Sequence, residues 1–289
     1  MSESQEKTTI TACIDGSVIT NAIVDTAAWA SNLLDSPLRF LHVLEKAETP
    51  ITDRSGAIGP GSASHLLDEL TELDEKRGKI AMELGKHMLA DAEQRACDAG
   101  VADVTLHQRH GDLLDALLTC ESNTSLFVIG RMGADHENEI KALGAQFESL
   151  IRAIHTPTLV TVGAFSPPAS FMIAYDGSDT ADKAIAGIAN TDVLKSMCGH
   201  VVMVGADNEQ NQQSLRRACE LLTSSGHDDI KSHLRQGNVV EALTTFRDEH
   251  EIGLLVMGAY GHSRVRDFFV GSNTSKMISH SVVPLLLLR

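Results

Sequence analysis

Residues 252–261 read Ile252-Gly253-Leu254-Leu255-Val256-Met257-Gly258-Ala259-Tyr260-Gly261; after nine intervening positions comes Gly271-Ser272-Asn273-Thr274, then a helical stretch and the apolar ending Pro284 to Arg289. The run 252–257 is short and continuously apolar, the pattern of a strand buried on both faces of a parallel sheet. Gly258 falls where that strand ends. A Gly-x2-Gly-x9-Gly-Ser spacing between a strand and a helix builds a loop that can wrap phosphate groups. The glycines let the backbone approach where a Cβ would intrude. Ser272, Asn273 and Thr274 offer N–H groups and side-chain polar atoms at a helix start, where the unpaired donors and the dipole favour an anion.

The pattern occurs twice. Thr11-Ala12-Cys13-Ile14-Asp15-Gly16-Ser17 returns as Met172-Ile173-Ala174-Tyr175-Asp176-Gly177-Ser178. Asp15 to Val43 and Asp176 to Val204 both span 28 positions, so the first helix and second strand of each half align without a gap. His110-Gly111-Asp112 then matches Gln236-Gly237-Asn238, Gly130-Arg131-Met132-Gly133 matches Gly258-Ala259-Tyr260-Gly261, and Pro157 to Val160 matches Pro284 to Leu287. The chain is a tandem duplication.

Each copy alternates five short apolar strands with four helical segments, which predicts an α/β fold: two doubly wound five-stranded parallel sheets with helices on both faces. In such sheets ligands sit beyond the carboxyl ends of the strands, where the winding reverses. With strand order 3-2-1-4-5, Asp176 after the first strand and Gly258 at the end of the fourth become neighbours at that reversal.

These motifs make the chain resemble a tandem universal stress protein over nearly all of both halves. The resemblance implies that ATP, or ADP or AMP, is held in the second half by Ala174, Tyr175, Asp176, Val204, Met257, Gly258, Gly261, Gly271, Ser272, Asn273 and Thr274, and the loop between Gly261 and Gly271 adds Arg264 as a positive charge beside the phosphates. Val204 lines the adenine, and Asp176 takes the ribose hydroxyls or helps hold a magnesium ion. It further implies that the last strands, Thr158 to Val162 and Leu285 to Leu288, pair within the chain as a pseudo-dimer; dimerisation of the whole chain stays open.

The first half departs from the motif. Ten residues separate Gly133 from Gly144, Ala145 stands where the second half has Ser272, and the loop carries Asp135, Glu137 and Glu139 where the second carries His262, Arg264 and Arg266. Carboxylates repel a polyphosphate and guanidinium groups neutralise it. One working site, in the second half, is expected.

The expected domains are residues 1–163 and 170–289, with a stiff linker containing Pro167 and Pro168 between them. An acidic arm inserted at about 45–78, after the second strand, reads as turn-rich first and helical from about Ala63, a mobile surface element. The 39 acidic against 24 basic residues give a net charge of −15, which argues against nucleic acid and anionic membrane surfaces as partners. Five scattered cysteines in apolar contexts read as reduced core thiols, and the polar N-terminus lacks a signal core; both point to a cytoplasmic protein. The thirteen histidines show no zinc-ligand spacing.

There is no Gly-x-Ser-x-Gly elbow, His-Glu-x-x-His pair or Walker sequence. The residues therefore favour a nucleotide-responsive stress protein acting on a protein partner that the sequence does not name. Two alternatives stay open: a slow magnesium-dependent ATP hydrolase, and a structural adaptor whose site is vestigial.

Overall fold

A computed structural model describes residues 8–44, 60–131, 149–191, 194–258 and 272–289, with side chains from residue 69 in the second stretch and from 274 in the last. The first half comprises β1 (Thr9–Cys13), α1 (Thr20–Leu34), β2 (Leu38–Leu44), α2 (Pro60–Asp98), β3 (Val104–His110), α3 (Leu113–Cys120), β4 (Thr124–Gly130), the helical residues 149–153 (α4) and β5 (Thr158–Thr161). The second comprises β6 (Ser170–Ala174), α5 (Asp179–Ala189), β7 (Cys198–Val204), α6 (Glu209–Ser224), β8 (Ile230–Arg235), α7 (Val239–Glu249), β9 (Leu254–Gly258), α8 (Ser272–His280) and β10 (Leu285–Leu288).

All ten strands form one sheet in the order β3-β2-β1-β4-β5-β10-β9-β6-β7-β8, so each half has the expected 3-2-1-4-5 winding. Every pairing is parallel except the central one, where β5 runs antiparallel to β10 with Val160 opposite Leu285 and Thr158 opposite Leu287. Each half covers the apolar edge that the other would expose. Leu285 and Leu287 are fully buried in this seam, while Leu286 and Leu288 are half-buried against the opposite face. Two arginines cross it. Arg131 Nη1 donates to the carbonyl of Ile278 at 2.7 Å, and Arg289 Nη1 donates to the carbonyls of Ile154, at 3.1 Å, and Arg152.

Strand side chains alternate between two apolar layers. One joins Ile10, Ala12, Phe40, Phe171, Ile173 and Val201 to α1, α2, α5 and α6; the other joins Leu41, Phe127, Met172, Val202 and Leu255 to α3, α4, α7 and α8. Helices start where polar side chains cap them: Asp112, Ser178, Asn208 and Asn238 accept from backbone N–H groups of α3, α5, α6 and α7.

Two expectations are revised. The acidic helical segment placed before the second helix is one continuous helix with it, α2, with Gly78 inside. Its exposed turns carry ion pairs such as Lys76–Glu72 and Arg77–Asp74, and its far end is tied to α1 by Arg95, whose Nε and Nη2 donate to the two Asp25 oxygens at 2.6 and 2.7 Å. Residues 45–59 lie outside the described residues. The cysteines are not all core thiols: Cys13 is buried, and burial pushes its thiol far up, but Cys97 is exposed and the other three are half-exposed. Among the described residues no helix is long and apolar enough to cross a membrane.

Candidate functional site

The winding reverses between β6 and β9. Ala174 pairs in register with Met257 on one side and Val202 on the other, and the Tyr175 N–H extends the ladder to the Val202 carbonyl at 2.9 Å. From there α5 leaves over one face of the sheet, while the chain after β9 leads to α8 over the other. Because α8 joins two parallel strands it runs against them, which brings its first turn to their carboxyl ends. Ser272, Asn273 and Thr274 open α8. Ala174, Val204 and Met257 all project to the α7/α8 face, Met257 buried and the other two half-buried. The crevice thus has apolar walls and a helix N-terminus on the same side.

At its mouth the chain turns through Asp176-Gly177-Ser178, all three exposed. Asp176 Oδ1 accepts from the Ser178 N–H at 2.9 Å, Gly177 takes a φ of +74° that a residue with a Cβ rarely adopts, and Ser178 Oγ accepts from the Ala181 N–H at 3.2 Å. Asp176 therefore shapes its own loop with one carboxylate oxygen. Asp15 does the same, accepting from the Ser17 N–H at 2.9 Å.

Gly258 serves packing as well as access. A Cβ built on it would stand 3.0 Å from Thr180 Cγ2 and 3.3 Å from the Thr180 carbonyl oxygen, tighter than an ordinary contact, so any larger residue would press α5 away from the strand end by a few tenths of an ångström. In the first half a Cβ on Gly130 would meet Ile19 and Ile23. Thr180 is the counterpart of Ile19, at the same offset that relates Asp176 to Asp15; it is a crevice residue that the motif search passed over, and the repeat alignment was the signal that could have found it. Tyr175 reaches the crevice only through its main chain: its ring is buried and its hydroxyl donates to Asp182 Oδ1 at 2.6 Å. Burial and that carboxylate hold the phenol well above its usual range.

Of the remaining site residues, Gly261, Arg264 and Gly271 lie outside the described residues, and Ser272 and Asn273 are described as helix backbone alone. In the first half Gly133, Asp135, Glu137, Glu139, Gly144 and Ala145 lie outside them too.

The sequence profile of the Universal stress protein family matches residues 7–161 and 195–289. The chain belongs to that family. Among family members, the universal stress protein Slr1230 of Synechocystis sp. is 30% identical over 282 residues, covering 96% of this chain and 98% of its own. A universal stress protein of Mycolicibacterium smegmatis is 21% identical over 295 residues, covering 96% and 95%. The crystal structure of a universal stress protein from Archaeoglobus fulgidus DSM 4304 superposes with a TM-score of 0.71 at 19% identity, covering 97% of this chain and 96% of that one. The tandem arrangement is therefore shared along the whole length by Slr1230, and the fold by the archaeal protein.

Proposed function

We propose that the second half binds an adenine nucleotide, ATP or a relative with fewer phosphates, and that the protein is a nucleotide-responsive binding module. The observation that carries this reading is the gathering, at the carboxyl ends of β6, β7 and β9, of the first turn of α8, the apolar walls Ala174 and Val204, and the Asp176 carboxylate. The helix start suits phosphate oxygens. The apolar walls suit a purine ring. Asp176 would meet the ribose hydroxyls or a magnesium ion travelling with the nucleotide; that ion would neutralise phosphate charge. Gly258, Gly261 and Gly271 would give the loop its close approach, and Arg264 would add a positive charge.

The sequence carries no Walker motif and marks no general base where a water would attack, so binding is better supported than turnover. The test is to denature the purified protein and identify the nucleotide it releases, then to titrate ATP with magnesium into Asp176→Ala. Removing a charged partner should weaken binding by about 1–3 kcal/mol. Unchanged affinity in that variant, with no nucleotide released from the wild type, would refute the reading. Magnesium-dependent phosphate release by the wild type that is lost in Asp176→Ala would favour the hydrolase instead.

A further inference from the structure

The two halves differ at a second place, far from the crevice. On the α3 face of β2 and β3 lies a groove of about 450 Å³ lined by Arg39, His107, Arg109, Thr119, Cys120 and Asn123, with Leu41 and Leu106 among its apolar walls. Arg39 near the start of β2, and Thr119 and Cys120 at the end of α3, put one end of it toward the amino ends of the strands, and Arg109, paired with Val43 near the end of β3, puts the other toward their carboxyl ends; it lies on the outer strands of the first half, not at the crevice between β6 and β9. Among the described residues no carboxylate lines it, on a chain whose net charge is −15.

The repeat shows how the groove arises. Offsets of 161 positions for the second strand and 126 for the third strand and following helix pair Arg39 with His200, His107 with His233, Arg109 with Arg235, Cys120 with Phe246, and Asn123 with Glu249. In the second half the space is filled and the charge balanced. The Phe246 ring lies 5.5 Å from His200 and 4.7 Å from His233, centroid to centroid, and the two imidazoles contact each other at 3.1 Å. The Arg235 guanidinium sits 5.2 Å over the Phe246 ring and donates to Glu249 Oε2 at 2.7 Å. In the first half a small thiol replaces the ring, and a neutral amide replaces the carboxylate. Among the described residues neither Arg39 nor Arg109 has an ion-pair partner, and the Arg39 Nε–H is buried with no hydrogen-bond acceptor. A buried donor on a charged group is costly to leave unmet. Burial and the neighbouring Arg39 charge hold His107 below its ordinary range, so at neutral pH its ring can both donate and accept.

We propose that this groove binds a small organic anion, whose phosphate or carboxylate group is clamped by Arg39 and Arg109 while Thr119 and Asn123 supply neutral hydrogen bonds. Guanidinium groups are suited to both oxyanions. The site is independent of the nucleotide reading, and its test is kept apart from it by working in a Gly271→Val background, which blocks the phosphate loop of the second half. Sodium pyrophosphate and sodium citrate are each titrated by calorimetry into the full chain. Saturable binding of at least one is expected, weakened at least about tenfold by Arg39→Gln and by Arg109→Gln, the scale of a lost charge-assisted pair. Cys120→Phe, which rebuilds the filled arrangement of the second half, should weaken it similarly; the two arginine variants carry the test if that one does not fold. Binding of pyrophosphate alone assigns a phosphate-bearing ligand, and of citrate alone a polycarboxylate. No binding of either at millimolar concentration, or binding that both arginine variants retain, overturns the proposal.

Discussion

Asp-Gly-Ser occurs at 15–17 and at 176–178 and makes the same aspartate-centred turn both times, yet the serines differ. Ser178 caps α5, whereas α1 begins two residues later in the repeat, with Ile19 at its cap position and no side-chain hydrogen bond, leaving Ser17 Oγ buried without a partner. Ser178→Ala should therefore destabilise by about 1 kcal/mol, the usual worth of an N-cap, while Ser17→Ala should stay within about 0.5 kcal/mol of wild type, since it removes an unsatisfied hydroxyl. Urea midpoints of the two variants check this; equal losses would contradict the different starts of α1 and α5. At this scale the sequence shows which residues recur but not what each copy does. Gly258 reads from spacing alone as a phosphate glycine, and its contact with Thr180 emerges only when α5 is laid on the sheet.

Among the elements, β7, β8 and α7 enclose an unusual titrating group. His200 is buried and His233 half-buried, the two facing each other, His250 stacks on Phe246 beside them, and Arg235 and Lys231 add positive charge, with Asp229 and Glu249 as the carboxylates nearby. Burial first, then repulsion from His200, His250, Arg235 and Lys231, lowers His233 from the ordinary 6.5 to about 4, and His200 is lowered as well. The unfolded chain thus takes up these protons before the folded one does. Their contribution to stability is complete above about pH 6.5 and is lost as pH falls toward about 4. Urea midpoints measured between those limits should fall with pH, and His233→Phe should flatten the fall; an unchanged slope in that variant would show the loss to originate elsewhere. The long helix α2 illustrates what periodicity hides: Leu70, Leu73, Ile80 and Leu84 are exposed on it. With Gly78 and turn residues upstream, such a segment reads as an arm separate from the helix that follows. The exposed first part of the helix is held by local charge pairs, and only its far end, with Leu89, Ala92 and Ala96, packs a buried stripe on the sheet.

At the scale of the molecule the seam makes one body of two repeats. Leu287 is buried where β10 meets β5, so Leu287→Lys should place an unpaired charge in that layer and cost at least about 3 kcal/mol, seen as a lower thermal midpoint and a larger radius in scattering. An unchanged melt and radius would contradict the pairing. The fold was legible because duplicated Asp-Gly-Ser turns, gap-free strand spacings and the final apolar strands all constrain backbone topology, and topology is what parallel sheets encode in pattern. Part of the candidate site was legible for the same reason: Asp176, Gly258 and the start of α8 sit where the reversal point must be, whereas Ala174 and Val204 entered only through the family resemblance. The anion groove was not, because it depends on Cys120 standing where its repeat has Phe246, a difference in side-chain volume with no signature in periodicity. What separates the halves functionally is the central claim, and calorimetric titration of wild type with ATP and magnesium tests it most directly. The account predicts one site per chain, abolished by Gly271→Val and left intact by Gly144→Val; two equal sites, or one that survives Gly271→Val, would contradict it.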